Sequence, residues 1–515
     1  MQRLLASGVL GLLVLLLATG GQGAATAAPA SLQAQIDRAQ PGDTLIIDGG
    51  TYRENVVIDK PLVLKGRNWP VIDGGGDGDV VTITADDVTL SRFVVRNSGR
   101  AVSQEPAAVK VAGAHAPTIE HLRIQQSHFG IHVTGSHHAV IDGNEIDLGG
   151  VAIERRGHAI YLWEVGESAI HENVIANAAD GIHLEFSDDN GMAFNTVTGS
   201  RYALHFMYSS NNRILNNTFA GNLSGAVLMF SQDLLLKDNE LSGNRHGATG
   251  TGILAKDVDN LFVEGNRIVR NKYGLTASGT PQAKGATATF MNNLFALNDT
   301  GVALMTNAPI TFVENAMIEN TVQVESLGGD LLTADSHAAA APTAAPGAGA
   351  ATGHEGHSGG TAAEQPPIAA ADGAVWSIGG RGNYWSDYQG YDADGDGVGD
   401  RAYRPQPAFA GALADNPTLR LFQFTLAQEA IDLAARMFPV YRYDPVIEDS
   451  APLMSAPGPA LPDESGTNGG LLLVSVVLVA LAAAVVQFAL DIDPLGALVR
   501  RGRRAGGYFN RGAAS

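Results

Sequence analysis

Gly181-Ile182-His183-Leu184, Ala203-Leu204-His205-Phe206 and Gly225-Ala226-Val227-Leu228 are three copies of one short phrase. It occurs upstream as Gly130-Ile131-His132-Val133 and Ala159-Ile160-Tyr161-Leu162. Downstream it returns as Gly252-Ile253-Leu254-Ala255, Gly274-Leu275-Thr276-Ala277 and Gly301-Val302-Ala303-Leu304. Each copy is followed by an Asn that opens a short apolar segment: Asn144, Asn173, Asn195, Asn217, Asn239, Asn266, Asn293 and Asn315. Subtracting residue numbers gives separations of 29, 22, 22, 22, 27, 27 and 22, a base period of 22 with insertions in three copies. A fixed period of this size marks a solenoid. The copies carry short alternating segments and no helix-length pattern, so the expected fold is all-β, a right-handed parallel β-helix. The Asn column is expected at a corner, where Asn tolerates a left-handed backbone and bonds along the stack.

The composition agrees. Among 515 residues there are 62 Gly and only 17% charged residues, which suits a turn-rich β solenoid. The absence of cysteine leaves the redox compartment open. A net charge of −20 argues against a nucleic-acid partner and is compatible with cation binding, although many secreted proteins are simply acidic.

Residues 1–27 have the form of a secretory signal: Arg3, the apolar run Leu4 to Ala18, and Ala25-Thr26-Ala27 before Ala28-Pro29. Ser31 to Ala39 is expected to form a short helix, capped by Ser31, that covers the open end of the first coil. Strand-like pieces continue the β-helix through residues 28–327. Residues 328–374 are rich in Ala, Gly, Pro and Ser and read as a flexible insertion; its His337, His354 and His357 are either a weak metal catcher or incidental. Final coils are expected over 375–415. They contain Asp392, Asp394, Asp396, Val398 and Asp400, whose alternate oxygen donors suit a structural Ca²⁺ loop or a metal-free run of Asx turns. Asn416-Pro417 opens a predicted capping helix within 416–449. Residues 450–469 read as a linker. Leu471 to Leu490 is apolar and long enough to span a bilayer, giving a transmembrane helix over 470–490. Arg500, Arg501, Arg503 and Arg504 then place the 491–515 tail in the cytoplasm and the solenoid outside, tethered to the membrane.

Within a coil, Ile182 and Leu184 point to the core, so His183 points out. The same logic makes His132, Tyr161, His183 and His205 one outward column, and Thr134, Trp163, Glu185, Met207, Met229, Lys256, Ser278 and Met305 the next. His183, His205, Met207 and Met229 are therefore expected to share one surface patch. Thioether and imidazole together suit Cu(I). The competing readings are solvated His and Met covered by a loop, with Phe186, Tyr202 and Tyr208 marking a docking surface. A polysaccharide lyase or epimerase is the rival activity, but no second outward acidic column accompanies Glu185. The expected site is therefore not catalytic.

The chain resembles the NosD family. The resemblance rests on Gly42-Asp43-Thr44 to Gly50-Thr51-Tyr52, the Asn-punctuated coils, the block Gly382-Asn383-Tyr384-Trp385-Ser386-Asp387-Tyr388 with its Asp/Gly loop, and Leu426 to Pro439. It implies a non-enzymatic periplasmic protein that assists copper-site assembly in nitrous oxide reductase. It further implies partnership with the membrane and ATPase subunits of an ABC transporter and with a copper chaperone, delivering or positioning Cu(I) or sulfur. A metal-free docking scaffold is the remaining alternative.

Overall fold

The computed structural model describes residues 31–245, 250–326, 373–405 and 447–461. The signal segment, most of the His-bearing insertion, the helix predicted to open at Asn416-Pro417 and the 470–490 apolar span lie outside those residues. Among the described residues no helix is long and apolar enough to cross a membrane.

Three parallel sheets of 12, 13 and 12 strands run the length of the solenoid, each sheet taking every third strand of the chain. One coil thus supplies one strand to each face, and every lateral neighbour comes from the next coil. The short helix Leu32–Arg38 precedes the first strand. The Ser31 hydroxyl accepts from Ala34 N at 3.2 Å, as a cap should, and Leu32 and Ile36 are buried at the end of the core. The helix closes apolar surface that the first coil has no neighbour to cover.

The core is one continuous cluster of Ile, Leu, Val and Phe stacked coil upon coil. In the phrase copies the strict alternation of a strand is broken. A Cβ at Gly181 would lie 2.4 Å from the Val197 side chain and 2.7 Å from the Ala203 carbonyl, so position 181 faces inward alongside Ile182. Two successive inward residues leave the residue before the phrase and the His of the phrase both facing out. That irregularity shapes the site below.

The Asn column is a hydrogen-bond ladder. Asn195, Asn217 and Asn239 show its repeat: the Asn217 side-chain oxygen accepts from Asn195 N and Nδ2, and Asn217 N and Nδ2 donate to Asn239 Oδ1 at 2.9 and 3.0 Å. Nδ2 also donates to the Met192 carbonyl at 3.0 Å. The left-handed residue at this corner is not the ladder Asn, as expected, but the residue before it: Glu172, Phe194, Asn216 and Asp238 all have positive φ. The Asn is kept for its amide, which satisfies buried backbone groups of two coils at once. A second ladder, absent from the sequence reading, joins Asn222, Asn244, Asn271, Asn298 and Asn320.

After residue 372 the chain rejoins the stack. Val375 bridges Thr311, Tyr384–Trp385 pairs with Ala316–Ile318, and Asn383 extends the first ladder from Asn315 at 2.9 Å. The ladder ends on Asp449, a fully buried carboxylate that accepts from Asn383 N at 2.7 Å and the Trp385 indole at 2.9 Å. Burial raises its pKa despite these donors. Residues 450–469 were expected to be a linker throughout. Instead Ala451, Pro452 and Leu453 are buried, and Leu453 bridges both Tyr384 and Val398. A short apolar residue next to the ladder's terminus is held by the last coil as a closing strand would be.

Asn217→Ala strands donors and acceptors on two neighbouring coils and is expected to cost ~3 kcal/mol in chemical denaturation. Thr198→Ala, at an exposed strand position, should change stability by less than about 0.5 kcal/mol.

Candidate metal centre

The strands Asp180–Glu185, Tyr202–Met207 and Ser224–Met229 lie side by side, pairing His183 with His205 and Glu185 with Met207 and then Met229. The strand Ile160–Gly166 places Tyr161 beside His183, and His132 precedes Tyr161. The outward column is therefore real. Its rings stack: His183 and His205 have centroids 4.4 Å apart and planes 21° apart, and Tyr161 stands 5.0 Å from His183.

The column is not solvated, as a surface patch would be. His132, Tyr161, His183 and His205 are 3%, 4%, 7% and 8% exposed. Each ring covers the next, and the residues that precede the phrases close over them: Phe129 lies 5.4 Å from His132, His158 lies 4.6 Å from His183, and Tyr202 lies 5.2 Å from His205.

Asp180 is the residue of that preceding row on which the site converges. It is fully buried. Arg201 holds it in a fork, Nε to Oδ1 and Nη2 to Oδ2, both 2.9 Å. Asp180 Oδ2 is 2.9 Å from His205 Nδ1, 3.3 Å from His158 Nδ1 and 3.7 Å from His183 Nδ1. His183 Nδ1 is also 3.4 Å from His158 Nε2. The Nδ1 edges of the stacked pair thus face one carboxylate oxygen. Their Nε2 edges face away from it, and His183 Nε2 is buried with no hydrogen-bond partner.

Desolvation disfavours protonation of His132, His158 and His183. It lowers His158 to about 4 against the pull of Asp180, and it lowers His132 to about 4 with Lys110 and His158 adding to the effect. His183 is held well below 6.5 by burial, with His158 and His205 adding. Burial opposes the charge on Asp180, but His158, His205 and Arg201 outweigh it and hold the carboxyl well below the usual carboxylate range. Tyr161 is raised by burial and by Glu185, to which its hydroxyl donates at 2.9 Å. The site therefore combines a buried ion pair with a His183 ring that burial keeps unprotonated and whose Nε2 has no hydrogen-bond partner.

Met207 and Met229 are half-buried neighbours in the Glu185 row. Same-face residues two apart on a strand are separated by ~6.7 Å, which sets Met207 beside His205. Beyond that row, at the left-handed corner, Phe186, Tyr208 and Phe230 stack face to face at 5.2 and 5.1 Å. The structure thus brings the two His together on Asp180 and the two Met together in the adjacent row.

Sequence reasoning missed Asp180, His158 and Arg201. The signal was present for the first two, since both stand immediately before a phrase copy, in the row of Phe129 and Tyr202. Recognising it required knowing that the Gly/Ala position faces inward. Arg201 carried no pattern.

In the Asp/Gly loop, one carboxylate oxygen from each of Asp392, Asp394 and Asp396 lies within 4.8 Å of the others. Asp392 accepts from Gly395 N at 2.6 Å and Gly397 N at 2.9 Å, and Asp396 accepts from Val398 N at 2.8 Å. The Gly397 N–H, ahead of the other donors, lowers Asp392. Asp400 turns to Ala393 N at 2.8 Å. Backbone N–H groups thus hold these carboxylates in place within the loop.

A family model described as "Periplasmic copper-binding protein (NosD)" matches residues 143–334. A probable ABC transporter binding protein NosD of Pseudomonas aeruginosa is 33% identical over 433 residues, 82% of this chain and 92% of the relative. Its counterpart from Stutzerimonas stutzeri is 32% identical over 444 residues, covering 84% and 92%. Among solved structures, the A-module of the Azotobacter vinelandii mannuronan C-5 epimerase AlgE4 is similar at 14% identity and a TM-score of 0.37, with 57% of this chain and 92% of that one covered. An alginate lyase from Paenibacillus gives 15%, 0.33, 57% and 92%.

His132 is neutral when folded and regains its ordinary pKa when unfolded, so between pH ~6.5 and ~4 the unfolded state binds more protons. Stability is expected to fall as pH is lowered through that window, by at most ~3 kcal/mol for this one group. His132→Gln should flatten the dependence of Tm on pH over the same range; an unchanged slope would show that His132 titrates normally.

Proposed function

The chain belongs to the NosD family, and on that premise we propose that it is a periplasmic accessory protein for assembly of the copper–sulfur site of nitrous oxide reductase. In this reading it receives Cu(I) from a copper chaperone, or positions that donor, and works with the membrane and ATPase subunits of an ABC transporter. The family description supports copper and the periplasm, and the names of the relatives support the transporter. The apolar span Leu471 to Leu490 would tether it to the inner membrane beside that transporter.

The observation that carries the reading is the stacked pair His183 and His205, facing Asp180 through Nδ1, with His183 Nε2 buried and unpartnered. Metal-binding His typically donates its second ring N–H to a carboxylate, which fixes the tautomer and makes the ligating nitrogen more basic. Here Asp180 serves that role for His205 and faces His183. Burial holds His183 well below its ordinary pKa, so at that ring the metal does not compete with a proton. Met207 and Met229 add polarizable thioethers, which suit Cu(I) and not a hard cation. The residues present therefore fit Cu(I) as a cargo, with His183, His205, Met207 and Met229 as its ligands.

One set of observations favours a second reading. Tyr161, His183, Arg201 and Glu185 are the side-chain types that a polysaccharide lyase or epimerase would use. Their burial argues the other way, since Tyr161 and His183 leave a sugar chain no open floor. Unsaturated or epimerised sugars released from alginate or pectin would establish that reading.

In a Cu(I) titration, the wild type is expected to bind one ion, and His183→Ala with Met207→Ala to bind at least about tenfold more weakly. Equal affinities would remove these residues from the site. Co-purification with a membrane ATPase complex tests the partnership; its absence from detergent extracts at native expression would count against it.

A further inference from the structure

Resting on the copper reading, we propose that Arg201 sets the charge of the cargo. It makes the His183/His205 site accept a single positive charge and reject divalent ions. The argument begins with Asp180. A fully buried carboxylate beside three imidazoles would by itself attract a divalent cation, and His158, Asp180 and His183 have donor atoms close enough to surround one. The carboxylate is already taken. Arg201 binds both of its oxygens, at 2.9 Å each, and His205 Nδ1 lies at 2.9 Å from one of them. The guanidinium cancels the charge of this carboxylate, so Asp180 has no net charge left to offer an entering ion.

A monovalent ion then adds one charge to a desolvated pocket, and a divalent ion adds two. Desolvation penalties for an ion rise steeply with its charge. The soft donors Met207 and Met229 act in the same direction, but they cannot substitute for this term, because Zn²⁺ and Cu²⁺ both bind imidazole well. Asp180 thus orients the imidazoles while Arg201 prevents it from becoming a ligand. Both are positioning residues, outside the ligand set itself.

The test compares Cu(I) and Zn(II) affinities of the full-length protein, each by chelator competition, in the wild type, Arg201→Gln, Arg201→Lys and Asp180→Asn. With unit charges ~6 Å apart and an effective dielectric of ~20, losing the guanidinium should shift preference toward Zn(II) roughly a hundredfold. Arg201→Lys keeps the charge and should keep the wild-type preference, which separates charge from fork geometry. Asp180→Asn leaves Arg201 uncompensated and should weaken Cu(I) binding roughly a hundredfold. This arm decides the matter if Arg201→Gln does not fold. An unchanged preference in Arg201→Gln, or unchanged Cu(I) affinity in Asp180→Asn, overturns the role of Arg201 while leaving the copper site standing. A wild type that does not bind Cu(I) at all overturns the copper reading and this inference with it.

Discussion

Everything in this molecule depends on the lateral register between coils. A parallel β-helix has no sequence-local contacts that fix one coil over the next; the strands pair with partners a full coil away. The Asn amides supply that fixation. Each one accepts from the coil before it and donates to the coil after it, with the whole exchange buried. A slip of one residue would leave these amides and the backbone groups they serve unpaired at every rung. Register in a sheet with one apolar face is already strongly specified, because a slip turns that face to solvent. The ladders add a polar penalty to the apolar one, and Asp449 ends the first ladder without leaving its last amide open.

Once register is fixed, like positions become columns, and the column is the unit of function here. Four aromatic or imidazole residues that are far apart in the chain form one stack, and the residues before each phrase close over it. The inward Gly/Ala then brings a second outward row against the first, delivering Asp180 and His158 to the His183 and His205 rings. The electrostatics follow from that burial. Desolvation disfavours protonation of His158 and His183, while His158, His205 and Arg201 keep the carboxylate charged. A soft monovalent cargo suits such a centre, and the adjacent Met207 and Met229 extend it with thioether donors.

How much of this was legible from sequence divides along the same line. The period, the helix capped by Ser31, the inward Ile182 and Leu184, and the columns of His183 with His205 and Met207 with Met229 all follow from local chemistry repeated at a fixed interval. What did not follow was anything that depends on departures from the repeat. Strict alternation gives an exposed His183, whereas the doubled inward step at Gly181 gives a covered one. Alternation likewise hides Asp180, which looks like an ordinary turn Asp before a Gly. The left-handed corner was assigned to the ladder Asn and belongs to the residue before it, because a buried amide and a positive φ are separate requirements met by adjacent positions. Leu453 was hidden in a Pro/Gly/Ser context whose composition resembles a linker, although one apolar side chain was enough to dock it.

The central claim is that Cu(I) is held by imidazole and thioether donors on the middle coils. X-ray absorption at the copper K-edge of the Cu(I)-loaded protein reports the donor set directly. The account predicts a Cu(I) edge, imidazole scattering from two His and at least one sulfur neighbour; this protein has no cysteine, so that sulfur must be a Met thioether. A first shell of nitrogen and oxygen alone, or a sulfur signal that persists when Met207 and Met229 are both replaced by Leu, would contradict it.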